Sequence, residues 1–285
     1  MITPVALNKR TLDQIAKLLD DIDKTAFWSD LKDLVSLYLS FDLASVFSYY
    51  KDYQPVRVID LTPSAERDRL HFTLLQGAYL IGPYYNQLIS TNIESGFYPF
   101  SAIAPDAIKE SEYYRVYYSE KKVVDEGMFL TKLEPQRHVG FLVERKAPAA
   151  AFTQRELDDL QLIAPVVCAL MKQHYHTVGP EHESVPPRFD EHFSKAFNRF
   201  GSSVLTPREK HIAHLILRGH SSKSGARELD ISPNTERVHR RRLYEKLGIA
   251  SQTELFWMFI ESISHYDAAS NADPLEAYLK TRDGS

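Results

Sequence analysis

Along the first 175 residues the apolar positions change period several times, and each change marks an element. In "TLDQIAKLLDDI" and "FWSDLKDLVSLYL" they recur at helical spacing, whereas "LASVFSYY" and "PVRVIDL" are β-branched and aromatic runs that suit strands. From Ser64 to about Ser90 the helical period returns, with Pro83 after Gly82 expected to kink or break it. "APDAIKESEYYRVYY" reads as a further helix. "KKVVDEGMFLTKL" and "QRHVGFLVERK" read as adjacent strands joined at Pro135, and "FTQRELDDLQLIAPVVCALMKQHYH" as a long helix opened by a capping box of Thr153 and Glu156. The order ααββααββα predicts a mainly antiparallel sheet packed between helices.

Periodicity then stops. "HTVGPEHESVPPRFDEH", from His176 to His192, has three prolines, a glycine and many charges, and reads as a linker. Beyond it the pattern is helical throughout. "LTPREKHIAHLILRG" carries Thr206 as N-cap, Pro207 at the first helical position, Glu209 three residues after the cap, and Gly219 where the helix should stop. Ser221 caps "SKSGAREL", Ser232 caps a helix running to Gly248, and Ser251 with Glu254 opens a fourth. The expected domains are 1–175, a linker at 176–200, an all-helical domain at 201–265 and a tail at 266–285.

Composition narrows the class. With 285 residues, 44% hydrophobic and 25% charged, the chain is an ordinary globular sequence long enough for two domains. The first thirty residues hold no uninterrupted apolar run, so neither a signal peptide nor a membrane span is expected, and cytoplasmic residence follows. Cys168, the single cysteine, excludes an internal disulfide and reads as a buried inert thiol within "LIAPVVCALM". Net charge is −4 overall, yet residues 205–260 hold ten Lys or Arg against six Asp or Glu. The positive excess makes a polyanion a plausible partner for that segment alone.

Two short helices joined by a turn of three or four residues, the second rich in arginine, match a helix-turn-helix motif whose second helix enters the major groove. At 100° per residue, Glu236, Arg240, Leu243 and Leu247 fall on one side of that second helix, and Arg237, Val238, Arg241, Arg242 and Glu245 on the other. Arginine donates bidentately to guanine, valine touches a thymine methyl, and flanking Lys and Arg neutralise phosphates. A surface-charged helical bundle is the alternative.

Some fifty residues, "LTPREKHIAHLILRGHSSKSGARELDISPNTERVHRRRLYEKLGIASQTEL", closely resemble the LuxR-type (LuxR/FixJ) DNA-binding domain. The resemblance implies that Arg237, Val238 and Arg241 touch bases and nearby phosphates, within a contact set that also takes in Lys223, Ser232, Asn234, Thr235, His239, Arg242 and Lys246. Three positions depart from the family pattern: Gly225 where isoleucine is usual, Glu236 where valine is usual, and Arg240 where an apolar residue is common. The expected compensation is that the stems of Glu236 and Arg240, paired at i and i+4, fill the space beside Gly225 and keep their charged ends near solvent. On that reading Glu236→Val alone leaves stability unchanged or raised.

The predicted order in residues 1–175 resembles PAS- or GAF-like folds and the α-β-α sandwich of LuxR-type effector domains. A phosphate receiver is argued against by the helical opening and the lack of βαβ alternation, although Asp60 ends a strand. The tryptophan, tyrosine and Asp-Pro signature of acyl-homoserine-lactone sensors is not found in "YYKDYQPVRVIDLTP". What remains is aromatic and acidic: Tyr84, Tyr85, Phe97, Tyr98, Tyr113, Tyr114, Tyr117, Tyr118, Asp125 and Glu126. These residues suit a pocket for a small amine or other cation. They equally suit a helix packed on a sheet with its tyrosine hydroxyls bonded. Catalytic motifs are absent, and His174 and His176 read as a solvated helix end, so no enzyme, cofactor or metal is expected.

The expected protein is α+β: a PAS/GAF-like α-β-α sandwich followed by an all-α four-helix helix-turn-helix domain. It would act as a homodimer on a pseudo-palindromic double-stranded DNA operator, gated by a small-molecule effector, with RNA polymerase as partner if it activates and no membrane involvement. Phe256, Trp257 and Phe259 in "SQTELFWMFIES" are candidates for pairing across the dimer axis, with packing on the protein's own core as the alternative. Rival readings are a ligand-independent regulator whose first domain dimerises or binds a protein partner, and an interaction module or vestigial enzyme with an added DNA-binding tail.

Overall fold

The computed structural model describes residues 8–50, 55–62, 78–90, 93–119, 122–134, 137–178, 191–264, 266 and 272–283. They belong to two compact units, one of Met1–Arg69, Gln87–Ile103 and Lys121–Pro186, the other of Leu70–Asn86, Ala104–Glu120 and Pro187–Ser285. The units do not follow chain order. Residues 70–86 and 104–120, read from the sequence as part of the N-terminal domain, group with the C-terminal helices.

The first unit opens with α1 (Lys9–Asp20), capped by the Asn8 side chain on the Thr11 N–H, and α2 (Phe27–Val35). Strands β1 (Leu43–Tyr50) and β2 (Val56–Asp60) follow. The expected helix from Ser64 lies outside the described residues as far as position 77. A 3-10 turn at Ala78–Ile81, in the second unit, then gives way at Gly82 to α3 (Pro83–Ser90), the break expected at that Gly-Pro pair, and the chain re-enters the first unit at Gln87. β3 (Gly96–Pro99) was not expected, because four residues bounded by glycine and proline show no period. β4 (Val123–Glu134), β5 (Arg137–Lys146) and the long α4 (Gln154–Val178) complete the unit. Thr153 and Glu156 form the expected box at its start, Thr153 Oγ1 accepting from the Glu156 N–H at 3.3 Å and Glu156 Oε2 from the Thr153 N–H at 2.7 Å.

The five strands form one antiparallel sheet in the order β2-β1-β5-β4-β3. Alternation sends Val46, Phe129, Val139, Phe141 and Val143 to one face, where they bury against Leu18, Phe27, Leu31, Leu34, Leu160, Val167 and Met171 of the helices. Each large apolar side chain removed from water there contributes about 1.5–3 kcal/mol. Gly127 is needed because the Phe97 ring lies over it, and a Cβ there would sit 2.3 Å from Phe97 Cζ. Cys168 is free and buried, with its thiol donating to the Leu130 carbonyl, and burial raises its pKa. His174 corrects the expectation of a solvated helix end. It is 8% exposed, stacks on Phe27 at 4.1 Å and donates from Nδ1 to the Ile22 carbonyl.

In the second unit the helix expected over residues 104–118 is broken. Ser111 is extended, its Oγ accepting from the Tyr114 N–H, so a 3-10 turn at Ile108–Glu110 gives way to a single α turn at Glu112–Tyr114 and a π turn at Arg115–Ser119. The expected linker also contains structure: α4 runs to Val178, and α5 (Glu191–Arg199) buries Ala196 and Phe197. Then come α6 (Pro207–Leu217), α7 (Ser222–Glu228), α8 (Pro233–Leu247) and α9 (Gln252–Ser264). The expected tail holds a further helix, α10 (Pro274–Asp283). Its signal was present in "ADPLEAYL", because Asp273 accepts from the Leu275 N–H like an N-cap before Pro274. The same carboxylate accepts from the Gly201 and Ser203 N–H groups, joining α10 to the turn that follows α5.

Phe259 packs edge-on against Phe197 and Phe200, and Phe256 is 5% exposed, so both serve the unit's own core rather than a free surface. Only Trp257 of the three aromatics is exposed, at 44%. His214 stacks on Phe197 at 4.4 Å. Burial, then the Arg218 and Lys210 charges, lower its pKa from 6.5 to about 3 against a raising hydrogen bond to the Phe200 carbonyl. Between those values the unfolded chain takes up a proton that the native state refuses. Stability is therefore full above pH 6.5 and declines as pH falls toward 3, by up to about 1.4 kcal/mol per pH unit from this group. His214→Gln should flatten that part of the profile, read from urea unfolding midpoints across pH.

Candidate nucleic-acid interface

Hydroxyl caps fix where each helix of the second unit begins. Thr206 and Glu209 form a reciprocal capping box on α6, Ser221 accepts from the Lys223 and Ser224 N–H groups at α7, and Ser232 accepts from the Thr235 N–H at α8. Between α6 and α7 the chain reverses at Gly219, φ +88°, with the His220 N–H donating back to the Leu215 carbonyl. Between α7 and α8 it turns through Leu229–Ser232, with Asp230 at φ +50°. α8 ends on left-handed Gly248. Helix, short turn, helix is thereby set by local chemistry.

The phase of α8 follows the expected wheel. Glu236, Leu243 and Leu247 are buried, Arg240 and His239 half-buried, and Asn234, Thr235, Arg237, Val238, Arg241, Arg242 and Lys246 exposed. Arg237, Arg240, Arg241, Tyr244, Glu245 and Ile249 line a shallow depression of about 390 Å³ on this surface. Arg241 approaches Glu245 at 3.5 Å, but both are well exposed, so the pair costs little to open. Two expected contacts have intramolecular duties: the Ser232 hydroxyl caps α8, and Lys246 Nζ lies 3.3 Å from the capping-box carboxylate of Glu209. Lys223 is exposed on α7.

Glu236 and Arg240 form the expected pair, with Nε and Nη2 of Arg240 at 2.9 and 2.8 Å from Glu236 Oε1. A Cβ on Gly225 would meet Glu236 Oε1 at 3.6 Å and Cγ at 3.9 Å, so the glutamate stem does occupy the space beside the glycine. The correction concerns solvent. The Glu236 side chain is 1% exposed and Arg240 only 17%, and Arg240 also donates to the His220 carbonyl at 3.2 Å. Excluded water makes the deeper partner the vulnerable one.

The expected ligand residues divide between the two units. Phe97 is in the sheet-unit core against Phe129 at 4.9 Å, and Asp125 accepts from the Phe152 and Glu126 N–H groups. Tyr85 packs edge-on against Tyr79, Tyr113 is buried with Tyr118 at 6.1 Å, and Tyr114 stacks on Tyr118 at 4.7 Å, all within the second unit. Tyr84 is half-buried there, and the Tyr117 side chain lies outside the described residues. Tyr98 and Glu126 share the sheet face opposite the helical core, Tyr98 donating to the Glu94 carbonyl. Glu144, missed in the sequence because it sits inside a continuous strand pattern, is directly opposite Glu126. Both carboxylates are buried, beside Ser45, Phe47 and Met128. Burial, then the Glu126 charge, raise the pKa of Tyr49 on the same face.

Such a capped helix pair with an outward basic second helix defines a helix-turn-helix module. Residues 203–259 match the family model described as "Bacterial regulatory proteins, luxR family", and this segment is a luxR-family helix-turn-helix domain. The chain is 28% identical over 123 residues to a putative HTH-type transcriptional regulator in the exeN 3' region of Aeromonas salmonicida, across 40% of this chain and 61% of that protein. It is 45% identical over 51 residues to the transcriptional regulatory protein UhpA of Escherichia coli, across 18% of this chain and 26% of UhpA. The chain thus spans less than two thirds of either relative. The LBD domain of VqsR from Pseudomonas aeruginosa has the same α/β fold, at TM-score 0.52 and 22% identity over 60% of this chain and 99% of that one. Among the described residues no helix is long and apolar enough to cross a membrane.

Arg240→Ala leaves the buried Glu236 carboxylate without its cation and should lower unfolding free energy by about 3 kcal/mol. Glu236→Val, which leaves Arg240 able to reach water and the His220 carbonyl, should change it by no more than about 1 kcal/mol. Urea denaturation of the full chain measures both, and equal losses would contradict this asymmetry.

Proposed function

We propose that the chain is a sequence-specific DNA-binding transcription regulator and not an enzyme, with residues 201–265 reading DNA and residues 1–175 sensing. The observation that carries this is the exposed face of α8, which presents Arg237, Val238, Arg241 and Arg242 from a helix whose buried side is locked into the unit. On this reading Arg237 and Arg241 donate to guanine O6 and N7, Val238 touches a thymine methyl, and Lys223, Arg242 and Lys246 neutralise phosphates. The protein works as a homodimer in the cytoplasm on a pseudo-palindromic operator, with RNA polymerase as its partner where it activates. Dimer formation is supported by the outer face of α4, where Leu162 and Val166 are 58% and 38% exposed.

Selection from a random duplex pool tests the DNA reading. The expected product is an inverted repeat with half-site centres about one helical turn apart, and Arg241→Ala should relax base preference at one position of each half-site. An unenriched pool would refute sequence-specific recognition, and an unchanged profile for the variant would place the reading face elsewhere.

The sensing reading is that a small amine or other organic cation gates the dimer. Its support is the buried pair Glu126 and Glu144, in register on a sheet face that also carries Phe47, Tyr49 and Tyr98. Calorimetric titration with a panel of amines and amino acids should give binding heat for one class, with a rise in melting temperature that grows with ligand concentration. A silent panel alongside intact DNA binding would instead favour a regulator whose first domain only dimerises or holds a protein partner.

A further inference from the structure

Residues 104–119 lie as a strap against the turn between α6 and α7 and against the start of α9, all within the second unit. Asp106 Oδ1 accepts from the Ser221 N–H at 3.1 Å and from Ser224 Oγ at 2.5 Å, while Oδ2 accepts from Ser221 Oγ at 2.6 Å. The Ala107 N–H donates to the Gly219 carbonyl at 3.1 Å. Ile108 is 3% exposed and packs so close that a Cβ on Gly219 would sit 2.9 Å from its Cα. Further along, Gln252 donates to the Glu110 carbonyl at 2.6 Å and Thr253 to the Glu112 carboxylate at 3.4 Å.

This attachment is too specific to be incidental packing. It uses a carboxylate with three donors, a backbone bond and an apolar plug on adjacent residues. Burial raises the pKa of Asp106, but the Ser221 and Ser224 hydroxyls and the Ser221 N–H outweigh it and hold the carboxyl at about 2, so it is an anion throughout the range in which DNA binds. The strap is acidic, with Asp106, Glu110 and Glu112 against Lys109 and Arg115.

Its position matters because the first helix of a helix-turn-helix motif crosses the DNA backbone while the second reads the groove. Here that first helix is α7. The Ser221 hydroxyl that donates to Asp106 also accepts from the N–H of Lys223, so two hydrogen bonds through that hydroxyl link the strap's carboxylate to the backbone of the phosphate-contacting candidate. A DNA phosphate brought within the Debye length of about 10 Å of Asp106 is repelled with little screening by salt. Resting on the DNA-binding reading above, we propose that the strap is an intramolecular competitor of DNA: Asp106 caps the start of α7, the helix that would cross the DNA backbone, and the strap must detach before a duplex seats fully. The chain continues from the strap into β4 on one side and from a helical turn at Phe100–Ile103 on the other, so conformational change in the sheet unit has a covalent route to the clasp.

Full-length protein and its Asp106→Ala variant, titrated by fluorescence anisotropy against a labelled random-sequence duplex of about 30 base pairs at about 0.1 M salt, test this. The variant should bind about 3- to 10-fold more tightly, a gain that misfolding does not produce. Equal or weaker binding by the variant, with the parent binding normally, overturns the strap and leaves the DNA reading standing; no binding by either overturns both. In the parent protein, amide hydrogen exchange at Ala107 and Ser221 should accelerate when DNA is saturating, and unchanged protection in the bound state also overturns the proposal.

Discussion

Unpaired backbone donors at helix starts are the constraint on which the second unit depends. Thr206, Ser221 and Ser232 each supply an oxygen to such donors, and in doing so they fix the residue at which each helix begins. A starting residue sets a phase, and phase decides which side chains point inward. Had α8 begun one residue later, its outward set would have rotated by about 100° relative to the turn that delivers it. The basic surface is thus a consequence of hydroxyl placement before it is a consequence of arginine content.

Much of this was legible in the sequence because capping is local. The boundaries of α6 to α8, the inward and outward sides of α8 and the Glu236–Arg240 pair all follow from residues within a few positions of one another. The depth of that pair was not legible, since solvent exclusion depends on what α6 and α7 place over it. The same limit explains β3: its four residues owe their extended form to pairing with Gly127–Leu130 rather than to any period of their own. Ser111 marks the opposite case, in which a local hydroxyl interrupted a helix that the apolar period favoured. The expected ligand residues divide between two units that chain order does not separate, and the further carboxylate, Glu144, is brought to Glu126 only by strand register.

Electrostatics connects the two halves of the functional argument. The chain is acidic overall, yet its basic residues are held outward on α8 while a buried carboxylate beneath them is matched by Arg240. Asp106 and its neighbours bring negative charge back to the same motif from a distant part of the sequence. Within the motif the opposing charges of Glu236 and Arg240 are 2.8 Å apart, whereas Asp106 reaches the start of α7 through neutral serine donors.

The solitary sulfhydryl on α4 has a practical corollary. Cys168 is sealed between helix and sheet, so the native molecule offers reagents no accessible thiol from its own sequence. A cysteine engineered onto any exposed position would become the sole site for a spin label or fluorophore, and inter-residue distances could be followed in solution without first stripping reactive sulfur from the chain.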